Sequence, residues 1–291
     1  MMEIVNLLQS NMVLFYSTIA ILSLCVGSFL NVVIHRTPKI MEQEWHCECH
    51  ELLNPDAEPL QQEKYTLSYP ASACPKCGHQ IRWYENIPVL SWLFLRGKCA
   101  DCGNPISIRY PLVEVGTMLC SLLVAYTFGP NLGTVAGLFF TWILIALTAI
   151  DFDTQLLPDR LTFPLLGLGL AVNSFGFFTT PVIAIWGALI GFLSLWSVNF
   201  IFKMIRGYDG MGGGDFKLLA ALGAWVGVMQ LPMIILLSAL VGSIIGIILK
   251  VVNQGKSMPF AFGPYLAIAG WIAFLYGHQI SAAYLNMVGL G

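Results

Sequence analysis

The residues that could do chemistry are five aspartates in two short runs. The first run is Asp151-Phe152-Asp153-Thr154-Gln155-Leu156-Leu157-Pro158-Asp159. The second is Gly207-Tyr208-Asp209-Gly210-Met211-Gly212-Gly213-Gly214-Asp215-Phe216-Lys217. Both interrupt strongly apolar sequence, where a carboxylate is costly and needs a reason. Two carboxylates held close together cannot both ionise, so they share a proton. One then activates a water while the other donates a hydrogen bond to a carbonyl. The same residues would serve equally well in a proton or cation path through a transporter, and the chemistry alone does not separate these readings. The chain has no H-E-x-x-H run and no Ser-His-Asp set, and its only histidine outside residues 35–111 is His278.

Local sequence assigns the acidic residues different roles. Pro158 fixes a turn, and Asp159 behind it reads as a helix cap. The glycine run permits unusual backbone conformations and close approach of another chain. Asp215 follows it at a helix start, where the helix dipole favours the anion. The run is not a dinucleotide fingerprint, because the spacing is wrong and no strand precedes it.

The second constellation is Cys74-Pro75-Lys76-Cys77-Gly78 and Cys99-Ala100-Asp101-Cys102-Gly103. Each half is a knuckle of two thiols followed by a glycine that frees the turn. Together Cys74, Cys77, Cys99 and Cys102 supply four sulfurs for a tetrahedral zinc, a closed site of the structural kind. A unit this small needs such a staple, because it cannot build a sufficient apolar core. Residues 35–111 carry eight Lys/Arg and nine Asp/Glu, which argues against nucleic acid as a partner. His46, Cys47, Cys49 and His50 form a tighter group that reads more readily as a solvated helical stretch than as a second metal site.

Composition dictates the elements that must position these residues. The chain has 291 residues, 57% hydrophobic and 10% charged. That is too little polar surface for a water-soluble globule of this size, so the lipid bilayer is its solvent. Apolar stretches fall at about 12–34, 112–128, 134–151, 161–178, 183–203, 215–228, 233–252 and 260–277. They do not alternate as barrel strands do. The expected fold is an all-α polytopic membrane bundle of about eight transmembrane helices, the sixth of them short. A small zinc-stapled domain lies between the first and second helices. The expected divisions are 1–34, a first transmembrane helix; 35–111, the zinc-binding domain; and 112–291, the catalytic bundle. All fourteen Lys and Arg fall in or beside 35–111, 152–160, 204–214 and 253–259. These segments are therefore cytoplasmic, with both termini outside and both aspartate runs on the inner side. A reducing compartment disfavours disulfides there.

Several motifs resemble the bacterial type IV prepilin peptidases. Gly212-Gly213-Gly214-Asp215 matches the G-x-G-D pattern of intramembrane aspartyl proteases. The run Asp151–Asp159 resembles the first aspartate motif of the peptidase family, and Gly210–Ala220 the second. Gly27–Pro38, Tyr84–Trp92 and Arg109–Glu114 are similar to further family segments. The resemblance implies Asp151 and Asp215 as the catalytic pair, with Gly212, Gly214 and Lys217 as the supporting loop. It implies cleavage of prepilin and pseudopilin leaders after a glycine, in type IV pilus and type II secretion systems, at the cytoplasmic face of the bacterial inner membrane. It also implies N-methylation of the new terminus from S-adenosylmethionine. Gly213 stands where the family usually has tyrosine, which loosens the loop but keeps both flanking glycines. A peptidase without methyltransferase activity and a proton-coupled transporter with a zinc-stapled regulatory domain are the alternatives. The transporter needs acidic groups in the outer half of the membrane, and the spans carry none there.

Overall fold

The computed structural model describes residues 9–55, 64–252 and 261–288. Among them the architecture is helical, and β-structure is limited to two isolated bridges, Ala73 with Gln80 and Lys98 with Pro105. The helices are α1 (Met12–Leu53), α2 (Leu90–Phe94), α3 (Arg109–Phe128), α4 (Leu132–Thr154), α5 (Asp159–Ser174), α6 (Pro181–Arg206), α7 (Gly213–Val226), α8 (Leu231–Val252) and α9 (Gly263–Val288). Short 3-10 turns occupy Trp83–Asn86 and Val228–Gln230.

Every one of the eight apolar stretches forms a helix. Six of those helices are long and apolar enough to cross a membrane. The other two, α5 with 16 residues and α7 with 14, are not. A straight 14-residue helix is about 21 Å long against a hydrocarbon layer of about 30 Å. Among the described residues six helices, rather than the expected eight, meet the length of a span. The first helix also differs from expectation. It does not end near residue 34 but runs through Pro38 to Leu53. The polar stretch beyond the membrane is rich in Glu and Gln, which are good helix formers. His46, Cys47, Cys49 and His50 therefore lie on the last turns of a helix. The expected inner loop 253–259 and residues 1–8 fall outside the described residues.

The chain divides into two compact units, residues 1–134 and 135–291. The division places helix 109–128 with the zinc-knuckle region rather than with the aspartate runs. In the first unit α1 packs along α3. A Cβ added to Gly27 would stand 2.7 Å from the Cα of Glu114, so only glycine allows this approach.

In the second unit α7 is the centre. All eleven residues from Asp215 to Trp225 except Lys217 are buried. A helix apolar on every side is one enclosed by others. Its closest neighbour is α6: a Cβ on Gly187 would meet the carbonyl oxygen of Gly223 at 2.2 Å, and one on Gly191 would meet that of Leu219 at 2.7 Å. Small residues four apart let membrane helices touch backbone to backbone. The opposite side of α6 exposes Ile185, Leu189, Trp196 and Phe200, as a lipid-facing wall does. The far end of α7 is fixed by Asn173, whose Nδ2 donates to the carbonyls of Ala224 (2.7 Å) and Trp225 (3.0 Å). The Trp225 indole donates to Leu165 O at 2.8 Å, and its ring packs 4.8 Å from Phe140.

Candidate active site

Asp151 lies in the last turn of α4, and Asp215 is the third residue of α7. Both are buried, with 4% and 8% of their surface exposed. Leu157 touches both the Cβ position of Gly214, the residue before Asp215, and that of Gly263, which borders Asp151 Oδ2, so the two carboxylates share one neighbourhood. Asp153, Asp159 and Asp209 are all exposed. The five aspartates therefore separate into an enclosed pair and three surface groups.

Backbone closures place the pair. Gln155 ends α4 with a φ of 56°, and its N–H donates to the carbonyl of Asp151 at 2.9 Å. The chain then turns through Leu157 and Pro158 into α5. Leu157 rests against Gly214, where a Cβ would lie 2.7 Å from the leucine Cβ. Gly212 is the N-cap of α7, with Asp215 N–H donating back to its carbonyl at 3.2 Å. Gly213 has nothing within 4 Å of a Cβ position. The site thus has room at this position.

Three residues that sequence reasoning did not single out also shape this site. Gly263 opens α9, and its backbone N–H faces the Asp151 carboxylate. A Cβ there would lie 2.6 Å from Asp151 Oδ2 and 3.0 Å from Leu157 Cδ1. Oδ2 itself is buried and has no hydrogen-bond partner among the described residues. Asn199 on α6 clamps the glycine loop: its Oδ1 accepts from the N–H of Gly210 (2.9 Å) and Met211 (3.1 Å), and its Nδ2 donates to Asp209 (3.1 Å). Lys203 donates to Asp209 from the same helix at 2.9 Å. An asparagine in an otherwise apolar stretch was the available signal for Asn199. The Gly263-Pro264 pair at a helix start was the available signal for Gly263.

Asp159 is not the cap expected of it. Pro158 occupies the N-cap position of α5, with no side-chain cap. The Asp159 carboxylate instead accepts two hydrogen bonds from Lys217, at 2.7 and 2.8 Å. Lys217, expected to support the loop, instead ties the start of α7 to the first turn of α5.

In the first unit the two knuckles fold alike. Gly78 and Gly103 have φ of 74° and 66°, and their N–H groups donate to the carbonyls of Cys74 (3.0 Å) and Cys99 (3.1 Å). Cys74 N–H bonds to His79 O, and Cys99 N–H to Asn104 O. The four Sγ atoms lie within 4.8 Å of one another. Cys74 and Cys102 are 3.8 Å apart, and Cys77 and Cys99 4.0 Å. The backbone N–H groups of Cys77 and Lys76 pull the Cys74 thiol down to about 6, while desolvation and the neighbouring sulfurs push Cys77 up to about 12, so the crowded thiols favour one thiolate at Cys74. Among the described residues this is the one cluster able to hold a metal, and the His46–His50 group does not form another.

The sequence has close counterparts among known proteins. Residues 21–128 match the Bacterial Peptidase A24 N-terminal domain, and residues 138–247 the Type IV leader peptidase family. A prepilin leader peptidase/N-methyltransferase of Aeromonas hydrophila is 53% identical over 94% of both chains. One from Pseudomonas aeruginosa is 52% identical over 99% of both. One from Neisseria gonorrhoeae is 48% identical over 88% of both. No solved structure matches. The two family matches fall on either side of the division between the two compact units, and the motif resemblance extends to nearly the whole chain. This chain belongs to the type IV leader peptidase family.

Proposed function

We propose that the chain cuts the leader from prepilins and pseudopilins after a glycine, with Asp151 and Asp215 as the hydrolytic pair, and then N-methylates the exposed residue. The observation that supports the pair most directly is selective burial. Among the described residues these are the two buried aspartates, and they lie beside a glycine-rich helix start. The full-length similarity to relatives named for both activities supports the substrate and the methylation.

The arrangement supplies a general acid and a general base from one shared proton. The ionised carboxylate takes a proton from water as the water oxygen bonds to the scissile glycine carbonyl carbon. The protonated carboxyl donates to the carbonyl oxygen, where negative charge develops. The carbon–nitrogen bond then breaks as a proton passes to the leaving nitrogen. The open space at Gly213 suits an extended substrate strand.

The knuckle sulfurs fit zinc. Zn–S bonds of about 2.3 Å in a tetrahedron separate the sulfurs by about 3.8 Å, close to the two spacings observed. Cys74, Cys77, Cys99 and Cys102 would fill all four positions, so the ion's role there is structural. S-adenosylmethionine supplies the methyl group in this reading. The placement of basic residues supports a cytoplasmic position for both aspartates in a bacterial inner membrane.

The test is incubation of the purified, lipid-reconstituted protein with a prepilin and S-adenosylmethionine, followed by intact mass of the pilin. Loss of the leader and gain of one methyl group are expected. An unprocessed pilin with correctly folded enzyme overturns the assignment.

A further inference from the structure

The segment between the two knuckles takes no part in the hydrolytic chemistry or in the metal site, yet its geometry is specific. We propose that Trp83 and α2 form a membrane-interface anchor, seated in the lipid headgroup and acyl boundary beside the first turns of α3. The partner is bilayer lipid.

Depth is the first argument. The N–H of Val89, at the N-cap of α2, donates to Glu114 Oε2 at 2.7 Å. Glu114 is the sixth residue of α3, about 8 Å along its axis. It also packs on Gly27 of α1, inside the first apolar stretch. With 20 residues, α3 just matches the hydrocarbon thickness, so its first turns lie at the boundary. The hydrogen bond to Glu114 holds α2 at the same level.

The second argument is the face α2 presents. Trp83 is 81% exposed, Leu90 53%, Leu93 57% and Phe94 83%. Trp92 turns the other way: its indole donates to Ile106 O at 3.2 Å and covers Gly97. The apolar face is thus displayed while the remaining aromatic of α2 does the packing. Ile108 and Leu112, at the start of α3, are exposed as well. Apolar area of this kind on a small polar domain marks an interaction surface. Arg96 and Lys98 follow α2 and are exposed, which suits anionic headgroups.

The third argument is conformational. Val89 has φ 60° and ψ −49°, and Leu90 N–H donates to Pro88 O at 2.6 Å. This is a γ-turn that a β-branched residue adopts only when its surroundings impose it. Glu114 imposes it here. Arg96, with φ 52°, closes the other end.

The test is photo-crosslinking of the full-length protein in phosphatidylethanolamine/phosphatidylglycerol nanodiscs. Phe94→p-benzoylphenylalanine is compared with the same probe at Ile21, on the lipid-exposed part of α1, and at Leu52, near its polar end. The Phe94 probe is expected to give lipid adducts at the yield of the Ile21 probe. A yield no higher than that of the Leu52 probe overturns the proposal. Capture of added prepilin in place of lipid also overturns it, and makes the face a substrate surface. The probe at Leu90 repeats the measurement should the Phe94 variant fail to fold, with retained prepilin cleavage as the folding check.

Discussion

Lys217 Nζ lies 2.7 Å from one carboxylate oxygen of Asp159 and 2.8 Å from the other, joining the helix that carries Asp215 to the helix that follows Asp151. Both side chains are partly exposed, at 33% and 51%. Exposed pairs of this kind contribute about 0.2–1 kcal/mol. Asp159→Asn and Lys217→Met should each lower leader cleavage only a few-fold, about what such an energy supports. The double variant should do no worse than the more damaging single one. Initial rates of prepilin processing measure this. A complete loss in either single variant would place that residue in the chemistry.

Asp151→Ala and Asp215→Ala should each abolish cleavage, because each removes half of a pair that works as a unit. Asp153→Ala should retain most activity, since its side chain is exposed. Intact pilin mass, with thermal unfolding in detergent as the folding control, distinguishes these outcomes. Wild-type processing by Asp151→Ala would remove it from the pair.

Gly263→Ala should be far more damaging than Gly213→Ala. The first puts a Cβ 2.6 Å from Asp151 Oδ2 with Leu157 behind it; the second enters open space. Gly214→Ala should fall between them, because its obstacle is the Leu157 side chain, which can shift. The expected order of cleavage rates is Gly213→Ala, then Gly214→Ala, then Gly263→Ala. Equal rates for the Gly213 and Gly263 variants would show that the main chain at residue 263 does not position Asp151.

Elemental analysis of freshly reduced protein should find about one zinc per chain, as four thiolates satisfy one tetrahedral ion. Cys74→Ser should release it. A Cys74→Ser, Cys77→Ser enzyme should lose methylation more than cleavage, because both aspartates belong to the other compact unit. Cleaved and fully methylated pilin from that enzyme would separate the metal from methyl transfer.

What the sequence revealed depended on the range of the interaction. The cysteine site was legible because its ligands are two local C-x2-C turns, and the fold brings the halves together as their spacing requires. Apolar runs located the eight helices of 14 or more residues among the described residues, because burial in lipid or protein acts on composition. They did not locate the end of α1, since hydropathy reports where the membrane ends rather than where a helix does. Asp159 was misread as a cap because its partner, Lys217, is 58 residues away and no local signal points to it. Gly263 escaped notice for the same reason. Its importance lies in the 2.6 Å a Cβ would leave to Asp151, a distance only the tertiary structure contains.

The enclosure of α7 has a further consequence. Asp215 is mounted on a helix that meets almost no lipid, ringed by helices that do. A thicker or thinner bilayer acts first on those outer helices, through tilt and local stretching. The inner helix is fixed by contacts to protein: Asn173 and Leu165 at one end, Lys217 to Asp159 at the other, and glycine against glycine along α6. It is mechanically insulated, like a bearing held inside a flexible housing. Cleavage should then vary little across membranes of different acyl length, until the outer helices yield and the whole unit loses activity together.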